Sequence, residues 1–506
     1  MKNTKKLILN TLLLTAASFL MQTVGVSFNV YLSNRIGPAG IGLFQLTMTV
    51  YGMAATFACA GVRLGATRLN IDQLAKDPES AARGTMRLCL AYALSLSLTV
   101  AAVLFFSAPR VAAGWLGDPR TAAALRWLAL GLPLVSLTAA MQGYFTAVRT
   151  VFKSAAAQGL EQAVKIAAAV FFLGRMLPRG VEYACLAIVF GMCAGEVASF
   201  LFSSLLLCAS KPMRRRENAP SRLGALLHIA GPDAAGTCAR SILLTTEHLL
   251  IPRGFQASGR SSEEAVRIYG IIHGMTLPVL LYPSAVLSSL ASLLVPELSQ
   301  LRVQGQTQRI EAAVRRILRL SLFYGIFVGG MFYAFAAPLS MRVYGNTDAV
   351  RYLQLLAPLV PVMYMDMSVD GMLKGLDQQK YSMRYNVIDS GMCVVLVWLL
   401  LPRMAIKGYI LVLFLSEIYN FSFSLRRLLH VTNALRPTLS AVAKPLLCVA
   451  CAALIPLGIA KSADPLLLAQ STPWLAAALT GGGLFYFTAL YLIGSIQAKD
   501  LRALRQ

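Results

Sequence analysis

Asp233, Arg240 and Glu247 lie on one apolar stretch, seven residues apart. Seven residues is close to two helical turns, so on a helix the three share a face, about 10 Å between neighbours. That face reads acid, base, acid. A charge inside a bilayer costs roughly 2.5 to 3.5 kcal/mol on insertion scales, so such groups face a cavity or a partner. Arg240 is therefore either a ligand-meeting group or one neutralised by neighbouring helices. Gly231, Pro232 and Gly236 permit a break or kink at the start of the stretch, because a proline removes a backbone donor, and broken helices expose backbone groups in many transporters. Other apolar stretches carry charges too. Glu161 and Lys165 form an i,i+4 pair in the favourable order. Glu196 falls near the middle of its stretch, Asp366, Asp370 and Lys374 follow at steps of four, and Asp389 and Glu417 lie further on. Any of these carboxylates is a candidate for a coupling proton or sodium ion. Gln22, Thr23, Gly25, Ser27 and Asn29 make half of the first stretch polar without charge, which suits either helix packing or substrate contact.

Catalytic chemistry is not legible. The sequence has no G-x-x-x-x-G-K-[ST] and no H-E-x-x-H, and its four histidines, His228, His248, His273 and His430, lack ligand spacing. Cys448 and Cys451 form a C-x-x-C inside an apolar run, where cysteine acts as a small hydrophobe. The expectation is a protein that is not an enzyme, with no cofactor and no bound metal.

Composition explains where these groups sit. Of 506 residues, 13% are charged and 57% hydrophobic, and the mean hydropathy is +0.63. Soluble chains carry about 25% charged residues, so a cytosolic enzyme, a disordered chain and a secreted disulfide scaffold are all excluded. A net charge of +24 would suit nucleic acid, but the basic residues fill short gaps between apolar runs. The anionic partner they imply is lipid headgroups, and no nucleic acid is expected.

About 20 apolar residues in a helix cross the roughly 30 Å hydrocarbon core. On that measure the chain holds fourteen spans: 7–31, 40–62, 88–109, 122–147, 155–174, 184–209, 223–250, 268–296, 317–341, 350–373, 385–402, 406–425, 441–460 and 473–496. With both termini in the cytoplasm, segments on that side carry more than twice the Lys and Arg of the outer segments, following the positive-inside rule. The fold class is thus an all-α polytopic membrane protein. Six spans return the chain to its starting side, so spans 1–6 and 7–12 can be parallel repeats about an axis along the membrane normal. The expected domains are an N-lobe at 1–210, a basic cytoplasmic linker at 211–222, a C-lobe at 223–436, and spans 13 and 14 with a cytoplasmic tail at 437–506.

Asn34 to Gly52 (NRIGPAGIGLFQLTMTVYG), Arg240 to Glu247 running into Leu249 to Gly254, Tyr269 to Met275 and Leu294 to Leu298 resemble the stage V sporulation protein B family of the multidrug, oligosaccharidyl-lipid and polysaccharide exporter superfamily. The resemblance implies a flippase of the bacterial cytoplasmic membrane for a polyprenyl-linked oligosaccharide or peptidoglycan precursor. It would work by alternating access around a central cavity, driven by an ion gradient or the membrane potential, as a monomer. It further implies that Arg35, Arg63 and Arg240 meet an anionic headgroup with Glu247 as partner or coupling group, and that a groove by the last two spans takes the lipid tail; Gln22 and Asn29, from the polarity of the first span, are the candidates for substrate contact there. Arginine suits phosphate because its planar fork stays protonated. Unlike lipid II flippases, the first span has no arginine between Lys6 and Arg35. Two other readings stand beside this one: a cation-coupled multidrug exporter of the same fold, which an acidic cavity would favour, and a non-transporting scaffold for envelope or spore assembly.

Overall fold

The computed structural model describes residues 2–76, 83–148, 150–210, 223–432, 440–463 and 472–495. The expected linker at 211–222 and the C-terminal tail beyond 495 lie outside them. Turns and short loops aside, the described residues are helical, with no strand among them. In chain order the helices are α1 (Lys2–Ala58), α2 (Val62–Lys76), α3 (Arg83–Val111), α4 (Thr121–Ala147), α5 (Val151–Met176), α6 (Val181–Cys208), α7 (Leu223–Ala257) and α8 (Ser262–Tyr269). There follow α9 (Leu277–Leu281), α10 (Ala285–Val303), α11 (Thr307–Ala334), α12 (Ala336–Tyr344), α13 (Val350–Leu356), α14 (Val360–Gly375), α15 (Gln379–Thr432), α16 (Ser440–Ala463) and α17 (Thr472–Leu492).

Ten stretches among the described residues are long and apolar enough to cross a membrane. The difference from fourteen has local causes. Phe19–Gln73 and Gln379–Thr432 each hold two expected spans. A straight helix of 55 residues would run about 80 Å, far beyond the bilayer core. The first is broken at Gly37, whose φ of 72° and ψ of 174° leave the helical region just before Pro38. In α15 the break falls at Ala405 (φ 49°, ψ −126°), three residues after Pro402. Beyond it the chain doubles back: Ser416 Oγ donates to Asp389 Oδ1 at 2.8 Å and Asn420 Nδ2 lies 3.4 Å from Asn386 Oδ1. A Cβ on Gly408 would come within 2.7 Å of the Leu400 carbonyl. Pairs nested around one turn are the mark of an antiparallel helical hairpin. Span 13 keeps a shorter apolar stretch, Val442–Leu454. Span 7, rich in polar groups, forms α7.

The chain divides into two compact units. One comprises Leu12–Met21 and Ile36–Gly270, the other Met1–Thr11, Gln22–Arg35 and Ile271–Gln506. In the first, α4 packs on α2, α3 and α6, α5 lies on α6, and α7 on α2. Small residues permit the closest approaches: Gly191 of α6 touches Ala169 of α5, and Gly42 lies against the backbone of Val266 and Gly270. Val62, Met86, Met141, Tyr144 and Phe145 fill its core. In the second unit α11 is central, with α14, α10 and α16 against it, and α17 on α16. Its core joins Val314, Leu318, Phe323, Val369, Leu373, Val449 and Tyr486. The added spans 13 and 14 are thus packed into the unit as α16 and α17, Tyr486 donating to the Phe323 carbonyl at 2.9 Å.

The break expected in span 7 falls instead in span 8. Helix α7 is continuous; one proline removes one donor and leaves the rest of the ladder intact. Span 8 passes through a π segment at Gly270–Thr276, with Pro278 and Pro283 beyond it and a 3₁₀ turn at Tyr282–Ser284. Carbonyls released there find side-chain donors. Asn29 Nδ2 reaches Gly274 O at 2.7 Å, Tyr344 reaches Met275 O at 2.7 Å, Tyr364 reaches Leu280 O at 2.7 Å, and Tyr324 reaches Pro283 O at 2.9 Å.

Candidate functional site

Each unit holds one buried polar group of carboxylates. In the Ile36–Gly270 unit, Glu196 of α6 is 8% exposed. The Tyr51 hydroxyl donates to its Oε1 at 2.5 Å, and its Oε2 has no partner among the described residues. Gly131 of α4 makes room for that second oxygen, since a Cβ there would collide with it. Glu161 and Lys165 come from α5, where the Glu161 carbonyl and the Lys165 stem lie against Gly195. The expected i,i+4 pair does not close: Glu161 and Lys165 form no ion pair within 4 Å.

The other unit gathers Asp366, Asp370 and Lys374 of α14 against both arms of the α15 hairpin. Lys374 pairs with Asp370 at 2.5 Å, and Ser382 donates to the same carboxylate. Asn420 Nδ2 donates to Asp366 Oδ2 at 3.1 Å, while Asp366 Oδ1 and Asn420 Oδ1 are buried without partners among the described residues. Asp389 accepts from Ser416, and Glu417 is partly buried on the same arm. The hairpin is what brings these residues together. Asn386 and Asp389 precede the Pro402 turn by about as much as Ser416 and Asn420 follow it, a symmetry visible in the sequence that points to facing partners. Among the described residues no three His, Cys, Asp or Glu are placed to hold a metal ion.

The arginine candidates are elsewhere. Arg35 is exposed, over the Tyr31 ring at 5.6 Å. Arg63, on α2, and Arg240, on α7, are also exposed. None of the three is in an ion pair among the described residues. Arg35 belongs to one unit, Arg63 and Arg240 to the other. Glu247 is half-buried, and the Asp233 side chain lies outside the described residues. Gln22 is exposed, whereas the Asn29 amide is committed to the broken eighth span. Of the histidines, His248 Nδ1 meets the Tyr269 hydroxyl at 2.8 Å and His273 Nε2 the Tyr409 hydroxyl at 2.6 Å. Cys448 and Cys451 are free thiols, the first buried and the second exposed. Sequence reasoning missed Tyr51, which carries no local mark of facing a carboxylate 145 residues away.

Two apolar clefts flank the last helices. One of about 560 Å³ lies between α11, α14 and α16, lined by Gly330, Tyr333, Pro358, Leu446 and Val449 among others. Another of about 300 Å³ lies between α16 and α17, with Trp474 and Phe485 on its wall.

Many apolar spans and discontinuous helices define a multi-span membrane protein. Residues 7–302, more than half of the chain, match the model of the polysaccharide biosynthesis protein family, and the chain belongs to that family. Residues 258–399 also match the MatE model. The stage V sporulation protein B of Bacillus subtilis (strain 168) is 24% identical over 400 residues, covering 78% of this chain and 77% of the relative. Sporulation protein YkvU of the same organism is 21% identical, covering 74% and 84%. Among solved structures, the lipid II flippase MurJ in an inward closed conformation is similar at a TM-score of 0.71 and 12% identity, over 95% of this chain and 98% of that one. An inward-facing multidrug resistance MATE family transporter is similar at 0.64 and 14% identity, over 81% and 96%. With the family match, these place the chain in the multidrug, oligosaccharidyl-lipid and polysaccharide exporter superfamily.

Proposed function

We propose that this protein flips a polyprenyl-phosphate- or pyrophosphate-linked glycan, a cell-wall or spore-envelope precursor, across the bacterial cytoplasmic membrane by alternating access. The observation that carries the reading is the apolar cleft of about 560 Å³ against α16, of a size and character to take part of a polyprenyl chain. Such a substrate joins that tail to a charged, polar headgroup whose desolvation blocks spontaneous crossing. In this reading spans 1–6 and 7–12 act as two lobes, both termini are cytoplasmic, and the protein works as a monomer. Arg35, Arg63 and Arg240 meet the phosphate, Glu247 partners them, and Gln22 and Asn29 border the path. A proton or sodium gradient, or the membrane potential, drives the cycle; one charge moving through 100 mV supplies about 2.3 kcal/mol.

A fluorescent polyprenyl-pyrophosphate glycan in proteoliposomes tests this. Inward-to-outward movement that Arg240→Ala abolishes supports the reading, and movement unchanged in that variant overturns the site. Asp366, Asp389 and Glu417 favour a second reading, cation-coupled export of a cationic drug. Export of such a drug by the same proteoliposomes, with no glycolipid movement, would select it.

A further inference from the structure

Most hydroxyls on the membrane helices bond back to a carbonyl one turn earlier, as Thr47 does to Leu43, Thr146 to Gln142 and Ser390 to Asn386. Four buried ones in α4, α5 and α6 have neither that bond nor any other among the described residues. Thr138, Ser154, Ser199 and Ser203 are no more than 5% exposed, and their oxygens have no partner among the described residues. Glu196 Oε2 is the fifth such atom in this unit. Leaving a buried polar group unbonded costs about 1 to 3 kcal/mol, so five in one bundle call for a partner. Buried water is the usual one, since it bridges otherwise unsatisfied polar groups.

Their positions form a file. On α6, Glu196, Ser199 and Ser203 follow at i, i+3 and i+7, one face of the helix. Helix α4 runs alongside in the same direction: the Trp127 carbonyl meets Cys193, Gly131 faces Glu196, and Met141 meets Ser204. That register brings Thr138 to the level of Ser203. Helix α5 runs the opposite way, with Ala169 on Gly191 and Lys165 on Gly195, which brings Ser154 about one turn beyond Ser203, between it and Ser210. Beyond it Lys153 Nζ donates to Ser210 Oγ at 3.1 Å. From Glu196 to Ser210 is about 20 Å along α6.

We propose that α4, α5 and α6 enclose a water-bridged proton path running from the Lys153–Ser210 end to Glu196, whose Oε2 accepts the proton. Each hydroxyl or water on the way passes one proton on as it accepts another, so only Glu196 changes charge. The Tyr51 hydroxyl keeps its proton and holds Oε1. A metal cation gathers several oxygens at once; among the described residues the one oxygen bonded to the Glu196 carboxylate is the tyrosine hydroxyl that already donates to it. The charged and titratable groups about Glu196 are Tyr51 and Cys59 from the α1–α2 region, Glu161 and Lys165 from α5, and Cys193 from α6; α4 presents Gly131. This deepens the transport reading and rests on it only for the statement that the proton drives transport.

The test uses the full chain in nanodiscs and needs no glycolipid. Dicyclohexylcarbodiimide attacks protonated carboxyls in apolar surroundings, and peptide mapping locates the adduct. The expected result is an adduct at Glu196 whose rate falls by up to about tenfold per pH unit as the acid form is depleted, unaffected by sodium and absent in Glu196→Gln. Ser199→Cys and Ser203→Cys, each in the otherwise native chain, are expected to react with a small water-soluble methanethiosulfonate at least about tenfold faster than the native buried Cys89 and Cys185. No adduct at Glu196, or protection of it by sodium, overturns the proton site. Introduced thiols as inert as Cys89 overturn the path. Should both assays succeed while no glycolipid moves in proteoliposomes, the path stands and the flippase reading falls.

Discussion

A carboxylate in a bilayer is defined by what its two oxygens meet, and the chain shows several answers. Asp370 is met by Lys374 and Ser382, and Asp389 by Ser416. Asp366 and Glu196 each keep one oxygen unmet. Groups already neutralised in place tolerate change. Lys374 is about half exposed, 49% by side chain, so Lys374→Ala is expected to shift unfolding of the detergent-solubilised protein by no more than about 1 kcal/mol. Cys448→Ala is expected to leave transport unchanged in proteoliposomes, since its thiol is free and only its packing is altered. Arg240→Ala has the opposite profile: normal insertion and size-exclusion behaviour with transport lost. The charge of Arg240 stands out in the sequence because it lies at heptad spacing in an apolar run. The unmet oxygen of Glu196 does not, because it depends on Tyr51 and Gly131, neither of which is charged.

Elements explain which substitutions break the fold. The eighth span surrenders its own hydrogen bonds, and tyrosines from other helices replace them. Tyr364 is fully buried, with its hydroxyl on the Leu280 carbonyl. Tyr364→Phe should therefore cost about 1 to 3 kcal/mol, measurable as a lower thermal midpoint in detergent, and more than Lys374→Ala. Close backbone approaches set a second rule. Gly42→Leu should leave no monodisperse protein, because any side chain there meets the backbone of Val266 and Gly270; Gly52→Leu, with nothing within 4 Å, should be tolerated. The prolines of the eighth span were visible in the sequence, yet Pro232 of the seventh drew the expectation. A proline shows where a helix can break, while neighbouring donors decide where it does.

For the whole molecule the distinguishing measurement is the substrate tail. The cleft against α16 opens beside Leu446, which is 51% exposed. A bulky side chain there fills the cleft without entering the core, so Leu446→Trp should weaken binding of a polyprenyl phosphate by at least about tenfold, or 1.4 kcal/mol, and leave binding of a tailless sugar phosphate unchanged. Equal loss for both ligands would place the lipid tail elsewhere.

The amino-acid sequence alone determined the solvent, the number of spans and the sites of unusual charge, because hydropathy and the length of a crossing are local properties summed along the chain. Even the merged helices α1 and α15 divide near Gly37 and Ala405, at the gaps between expected spans. Partnership was decided by tertiary packing. Whether Glu161 turns to Lys165, which helix supplies the donor for a freed carbonyl, and which carboxylate keeps an oxygen unmet all depend on residues tens to hundreds of positions apart. Hydrogen bonds and ion pairs act over a few ångströms, and only the folded bundle determines which side chains come that near.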